Sequence, residues 1–109
     1  MFVAVGNEGA LVTSRDGMTW TARDAGTDNR LRGIAYGNNT FVAVGFAGTI
    51  LTSKNGVRWT VRDSGSHERL QNVTWTNGTF VAVSKNGLML SSKDGLHWPR
   101  AISATAARR

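Results

Sequence analysis

The residues of this chain that could do chemistry recur at a fixed interval of 39 residues. Each copy has a serine, an Asp or Asn two positions later, a glycine next to it and a tryptophan three positions after the glycine. A short acceptor beside a glycine bonds the amides of its own turn, and the indole can anchor the following strand. We therefore interpret the carboxylates as structural. The residues are Ser14, Asp16, Gly17 and Trp20, then Ser53, Asn55, Gly56 and Trp59, then Ser92, Asp94, Gly95 and Trp98.

The remaining residues of catalytic or metal-binding type form no constellation. The chain has no cysteine, and its two histidines, His67 and His97, stand at different positions of the repeat. No acidic pair recurs near them at the spacing that metal ligands need. The sequence predicts neither a metal site nor a cofactor, and it leaves the redox compartment undecided.

The elements that must position these residues are short strands. Phe-Val-Ala-Val begins at Phe2, Phe41 and Phe80, and its surroundings keep the same register. Runs rich in Val, Ile, Thr and aromatic residues alternate with Gly, Asn and Asp, which is typical of an antiparallel meander. In the middle copy the predicted strands are 33–36, 40–44, 49–52 and 58–61.

The second of these strands is apolar on both faces, because successive side chains of a strand point to opposite sides. It therefore needs a sheet on each side, as in a β-propeller, where four-stranded blades are arranged around an axis. A β-helix or a single sandwich fits the period less well. We predict an all-β fold and one repeat domain over 1–109, with blades at 2–24, 31–63 and 70–102 and a tail at 103–109. The first blade lacks its inner strand, so we expect eleven strands in total.

The Ser-x-Asp-Gly-x-x-Trp motif resembles the Asp-box of BNR or sialidase-like propeller repeats. The resemblance covers nearly the whole chain and implies that the motif holds the hairpin between the third and fourth strands of each blade. This chain has one residue fewer between Asp and Trp than the commonest form of the box. The catalytic set of sialidases is an arginine triad, a Tyr-Glu pair and an acid Asp, and it has no counterpart here. Tyr36 is the only tyrosine and aligns with Trp75. We therefore expect no enzymatic activity.

Three blades do not close a ring, and an open arc would expose two large apolar faces. We expect the chain to assemble with itself, foremost as a head-to-tail homodimer that closes a six-bladed propeller. Other closed oligomers, a portion of a longer array and an engineered sequence are the alternatives. The predicted function is thus a self-assembling structural or interaction scaffold.

The second hypothesis is a lectin-like module for acidic glycan or another polyanion. Thirteen Lys and Arg against seven Asp and Glu give a net charge of +6, which favours acidic partners, although solubility alone also explains it. Basic residues recur in two phases of the repeat, and copying of one ancestral blade is the alternative explanation for both phases. Arg15, Lys54 and Lys93 form one phase, and Arg30, Arg69 and Arg108 form the other. We assign the candidate binding rim to Arg30, Arg69, Lys85 and Phe46, the last as an exposed ring between glycines.

Nothing in the sequence directs the chain to a compartment. It has no apolar run of the roughly 18 residues that a membrane span requires, no signal-type segment and no specific nucleic-acid motif. The localisation is left undetermined.

Overall fold

The computed structural model describes residues 1–98, which form three antiparallel sheets. The first sheet holds β1 (Phe2–Val5), β2 (Leu11–Ser14) and β3 (Thr21–Ala22). The middle sheet holds β4 (Leu31–Gly37), β5 (Thr40–Gly45), β6 (Ile50–Ser53) and β7 (Thr60–Arg62). The third holds β8 (Leu70–Thr76), β9 (Thr79–Ser84) and β10 (Met89–Ser92). In each sheet the strands lie in chain order. Short 3-10 turns join β1 to β2 at Asn7–Gly9 and β5 to β6 at Phe46–Gly48.

This architecture confirms the all-β prediction and the four-stranded middle sheet. In the middle sheet, β4 pairs with the edge of β5 that faces away from β6. Within residues 1–98, no strand pairs with the equivalent edge of β1 in the first sheet. The fourth strand expected for the third blade would begin near Pro99, which lies outside the described residues. The predicted tail 103–109 and Arg108 also lie outside them.

Several strand ends differ from the predictions, and local hydrogen bonds explain two of them. β4 begins at Leu31 rather than at 33, with a bulge between Leu31 and Gly33. Thr49 lies outside β6 because its amide donates to the carbonyl of Phe46 at 3.2 Å and closes the 3-10 turn. Arg58 lies outside β7 because its amide donates to the side-chain oxygen of Asn55 at 3.0 Å.

Two apolar cores lie between neighbouring sheets, and the middle sheet contributes to both. Val42, Ala43 and Val44 of β5 are completely buried, as a strand covered on both faces requires. One core contains Leu11, Ala25, Leu31, Ala43 and Leu51, with Val3, Val5, Ile34 and Trp59 packed against it. The other contains Val42, Val44, Ile50, Leu70, Val73, Phe80, Ala82, Leu90 and Trp98.

A glycine allows the first strands of neighbouring sheets to approach each other. Gly37 ends β4 in a buried position, and a Cβ atom there would collide with the indole of Trp75 on β8. The Trp75 ring in turn packs on Phe80, with ring centroids 4.5 Å apart. Absence of a side chain at Gly37 therefore makes room for an aromatic residue of the next repeat.

Candidate functional site

The Ser-Asn-Gly-Trp motif of the middle repeat forms a compact hydrogen-bonded turn between β6 and β7. The Ser53 hydroxyl accepts from the Gly56 amide at 2.7 Å, and the Asn55 side-chain oxygen accepts from the amides of Val57 and Arg58 at 2.8 and 3.0 Å. The Trp59 indole donates to the Gly56 carbonyl at 2.9 Å. Gly56 itself has a φ of +77°, a conformation that glycine adopts without strain. The Ser53 hydroxyl, the Asn55 side-chain oxygen and the Trp59 indole thus all bond within their own turn.

The first and third copies repeat the bonds of the serine and of the following acceptor, with a carboxylate in place of the amide. Asp16 accepts from the amides of Met18 and Thr19 at 2.8 and 2.9 Å, and Asp94 accepts from the amides of Leu96 and His97 at 2.8 and 3.0 Å. The serine hydroxyls accept from the amides of Gly17 and Gly95 at 2.7 and 2.8 Å. The Trp98 indole donates to the Gly95 carbonyl at 2.7 Å.

These hydrogen bonds stabilise the charged form of both carboxyl groups. The backbone amides of Thr19 and Met18 hold the pKa of Asp16 below its ordinary value of 3.8. The amide and the imidazole of His97 hold the pKa of Asp94 far below that value, with the His97 Nδ1 atom 2.9 Å from a carboxylate oxygen. A general acid at neutral pH needs a raised pKa, so neither carboxyl group is suited to that role.

Residues at the same position of the repeat differ sharply in exposure from one repeat to another. Phe80 is fully buried whereas Phe2 is 54% exposed, and Trp98 is 7% exposed whereas Trp20 is 43% exposed. At the other end, Met89 is 45% exposed whereas its counterpart Ile50 is fully buried. The outer faces of the first and third sheets therefore carry exposed apolar side chains. The counterparts of these side chains in other repeats are buried between two sheets.

Arg30, Phe46 and Arg69 come together at the end of the sheets opposite the Ser-Asp-Gly-Trp turns. The guanidinium carbons of Arg30 and Arg69 lie over the Phe46 ring, 5.5 and 4.8 Å from its centroid. Phe46 is half-buried, which is less exposed than the sequence suggested. The two guanidinium groups cover it, as cation–π attraction favours.

Lys85 joins this rim through its backbone. Its amide donates to the Arg69 carbonyl at 3.0 Å, and the residue lines a shallow groove with His67, Glu68, Arg69 and Asn86. The Asn86 amide group donates to the Glu68 carboxylate at 3.0 Å. The four rim residues chosen from the sequence are thus neighbours, and Glu68 adds a negative charge that the sequence analysis did not include.

Sequence reasoning missed a pair of grooves between the sheets at the end that carries the Ser-Asp-Gly-Trp turns. One lies between the first and middle sheets and the other between the middle and third sheets, and equivalent residues of successive repeats line them. Arg23 and Arg62 contribute to them, each donating through Nε to a threonine hydroxyl, at 3.0 Å to Thr13 and 2.9 Å to Thr52. Their spacing of 39 residues was the signal that could have found them.

Metal and membrane features give no further site. Within residues 1–98, no three His, Cys, Asp or Glu side chains lie close enough to hold a metal ion. Over the same residues, no helix has the length and apolar character needed to cross a bilayer.

Comparison with known proteins bears on the fold. Nine solved chains match, and one of them, described as YCF48 bound to D1 peptide, superposes with a TM-score of 0.74 at 22% identity over 90% of this chain. The fold is propeller-like. The chain spans 34% of that protein's length. No protein-family model matches the chain, and a search of curated proteins finds no match.

Proposed function

We propose that this chain is a non-catalytic propeller module of the Asp-box type that works by binding partners, the first of which is a second copy of itself. The observation that supports this proposal most directly is the exposure of Phe2, Trp20 and Met89 on the two outer sheet faces. Apolar surface of this kind is costly in water and usually marks an interaction site.

The two outer faces match each other in the same way as the faces that already pack inside the chain. On the third sheet, Val81, Val83 and Met89 are the counterparts of Val42, Val44 and Ile50. Those three middle-sheet residues belong to the core that also holds Phe80, Ala82 and Trp98. The counterparts of this second group in the first repeat are Phe2, Ala4 and Trp20. The outer face of the third sheet should therefore pack on the outer face of the first sheet of another copy.

Such a contact is head-to-tail, and a head-to-tail contact closes into a ring when the rotation per subunit allows it. Two copies then form a six-bladed propeller with two equivalent interfaces. A closed ring would bury both outer faces of every copy. An open head-to-tail assembly would leave one outer face exposed at each end.

Size-exclusion chromatography with light scattering tests this assembly. We expect a mass of about twice the 11.7 kDa of the chain, and a monomer for Trp20→Glu and for Met89→Glu. Mixing the two variants should restore a dimer, because each variant keeps the face that the other has lost. Val61→Glu is the matched control, since Val61 is 52% exposed but lies on the outermost strand of the middle sheet. A wild-type monomer at every concentration, or a mixture that stays monomeric, would contradict the proposal.

The absence of catalysis is part of the proposal. The motif carboxylates bond their own turns and have lowered pKa values, which supports a structural role for them. Turnover of a fluorogenic sialoside or another glycoside by the purified chain, lost on Asp16→Asn or Asp94→Asn, would overturn it.

A second function is supported by the rim of Arg30, Phe46, Arg69 and Lys85. Two guanidinium groups over one ring concentrate positive charge while leaving donor atoms for an acidic glycan or another polyanion. The solved YCF48 structure contains a bound peptide, so an acidic peptide is a further ligand to try.

Isothermal titration with a uronic-acid oligosaccharide, at low and at physiological salt, tests the rim. We expect binding that weakens as salt rises and that is lost in Arg69→Ala and reduced in Phe46→Ala. Lys93→Ala removes the same charge from the opposite end of the sheets and serves as the control. Equal losses in the control and in Arg69→Ala would show that net charge alone attracts the ligand.

A further inference from the structure

The groove between the middle and third sheets, at the end of the Ser-Asp-Gly-Trp turns, is lined by hydroxyl groups and fixed cations. It has a volume of about 210 Å³, several times the roughly 30 Å³ of one water molecule in the liquid. Leu96 of the third repeat lines one side. The polar lining residues are Thr40, Thr52, Ser53, Lys54, Asn55, Arg58, Thr60 and Arg62.

Two of the cations are held in place by threonine hydroxyls. The Lys54 ammonium donates to Thr40 at 2.9 Å, and the Arg62 Nε atom donates to Thr52 at 2.9 Å. Each donor uses one hydrogen in this bond, so the Lys54 ammonium keeps two N–H groups and the Arg62 guanidinium keeps four. The groove thus offers several charged donors whose positions are fixed before any ligand arrives.

No carboxylate lines this groove. The Asn55 side-chain oxygen is occupied by the amides of Val57 and Arg58 and by the Ser53 hydroxyl, and its amide group carries no charge. Within residues 1–98 the single salt bridge joins His97 and Asp94, so Lys54, Arg58 and Arg62 lack a carboxylate partner in the described part of the chain. The charge of the groove is therefore +3 at neutral pH.

The equivalent positions of the other two repeats are balanced by an acid. Between the first and middle sheets, Arg15 and Arg23 share the groove with Asp16. In the third repeat, Lys93 shares a more open surface with Asp94 and His97. Among these three sites, the substitution of Asn for Asp at position 55 leaves only the middle one without a negative charge.

We propose that this groove binds a tetrahedral oxyanion, namely a phosphate or sulfate group, either free or as a monoester. Arginine and lysine donors suit the oxygens of such groups, and charge-assisted hydrogen bonds to them are short and strong. The Thr40 hydroxyl already donates to the Asn38 carbonyl, whereas the hydroxyls of Thr52 and Thr60 supply further donors for the same oxygens. The site lies at the end of the sheets opposite the Arg30, Phe46 and Arg69 rim.

Titration of ¹⁵N-labelled full chain with inorganic phosphate and inorganic sulfate, against chloride at equal ionic strength, tests the proposal. We expect saturable shifts confined to the amides of Lys54, Arg58 and Arg62. Asn55→Asp should weaken binding by about tenfold or more, because it puts a negative charge next to the anion. This variant should fold normally, since Asp occupies the same turn position in the first and third repeats.

Two matched variants sharpen the test. Asp16→Asn should create a second saturable site at Arg15 and Arg23. Arg32→Ala removes an exposed charge on β4 that lines neither groove, and it should change neither site. Comparing glucose 6-phosphate with glucose 6-sulfate then identifies which ester the groove prefers. Shifts that match those caused by chloride, or an affinity that Asn55→Asp leaves unchanged, would overturn the proposal.

Discussion

Phe2 and Phe80 occupy the same position of the repeat but lie in opposite environments. Phe80 packs in the core between the middle and third sheets, whereas Phe2 is 54% exposed on the outer face of the first sheet. The local sequence around both is Phe-Val-Ala-Val, so the strand itself is the same. The environment of a side chain in this molecule therefore depends on whether a neighbouring sheet is present, and the two outer faces have the composition of a core without its second half.

The largest expected effect on the free energy of unfolding comes from truncating Phe80, and the same truncation at Phe2 is the comparison. Phe80→Ala should lower the free energy of unfolding by about 3–5 kcal/mol because it leaves a cavity in a closed core. Phe2→Ala should change it by less than about 0.5 kcal/mol in dilute solution, as at an ordinary surface site. Urea unfolding followed by circular dichroism measures both.

Protein concentration sharpens this comparison. If Phe2 is buried against a second copy, the cost of Phe2→Ala should rise with concentration, because assembly stabilises the folded state by mass action. The cost of Phe80→Ala should stay nearly constant over the same range. Equal costs for the two variants in dilute solution would show that the two environments do not differ.

A smaller effect is expected along the series of tryptophans. Trp98→Phe leaves the buried carbonyl of Gly95 without its indole donor and should cost about 1–3 kcal/mol. Trp59→Phe breaks the equivalent bond to Gly56 at a half-buried site and should cost about 1 kcal/mol. Trp20→Phe, at the 43% exposed position, should cost less than about 0.5 kcal/mol. Urea midpoints in any other order would contradict the link between exposure and stability.

The serines of the three turns should give the next effect. Ser53→Ala and Ser92→Ala each leave a buried glycine amide without an acceptor and should cost about 1–2 kcal/mol. Ser14→Ala should cost less, because the same bond in the first repeat is only partly buried. The exposed Ser91 provides the control, and Ser91→Ala should stay within about 0.5 kcal/mol. Similar thermal midpoints for the Ser14 and Ser92 variants would argue against a protected turn in the third repeat.

Much of the fold could be predicted because it repeats within the sequence. The strand order of the middle sheet and the positions of the turns follow from periodic apolar runs and from glycines such as Gly17, Gly56 and Gly95. The ends of β6 and β7 could not be fixed in this way, because hydrogen bonds made by Thr49 and Arg58 within turns compete with the strand ladder.

The candidate sites were less predictable because they combine side chains from different repeats. The cover over Phe46 depends on Arg69 reaching back from the following repeat, which no local pattern contains. Asn55, in contrast, is visible in the sequence as a departure from the motif. Its effect on charge appears only once Lys54, Arg58 and Arg62 are found in one groove.

The smallest expected effect is a change in the free energy of unfolding in acid. It distinguishes the two turns that carry a carboxylate from the turn that carries Asn55. In the folded chain the pKa of Asp94 is held far below the value near 3.9 of an unfolded chain, by the amide and the imidazole of His97. The stabilisation from the ionised form is then complete above about pH 4 and is lost as the pH falls towards the folded value. Asp94→Asn removes this dependence, while the turn persists as it does with Asn55.

The difference in unfolding free energy between wild type and Asp94→Asn should therefore be largest near pH 5 and should shrink as the pH falls to about 2.5. Urea titrations across this range measure it. Asp16→Asn should show the same trend, since the pKa of Asp16 is also lowered. Asp28→Asn is the control, because the Asp28 carboxylate makes no hydrogen bond or salt bridge within residues 1–98. A difference for Asp94→Asn that grows as the pH falls would mean that the carboxylate destabilises its turn, and the three turns would then not share one physical basis.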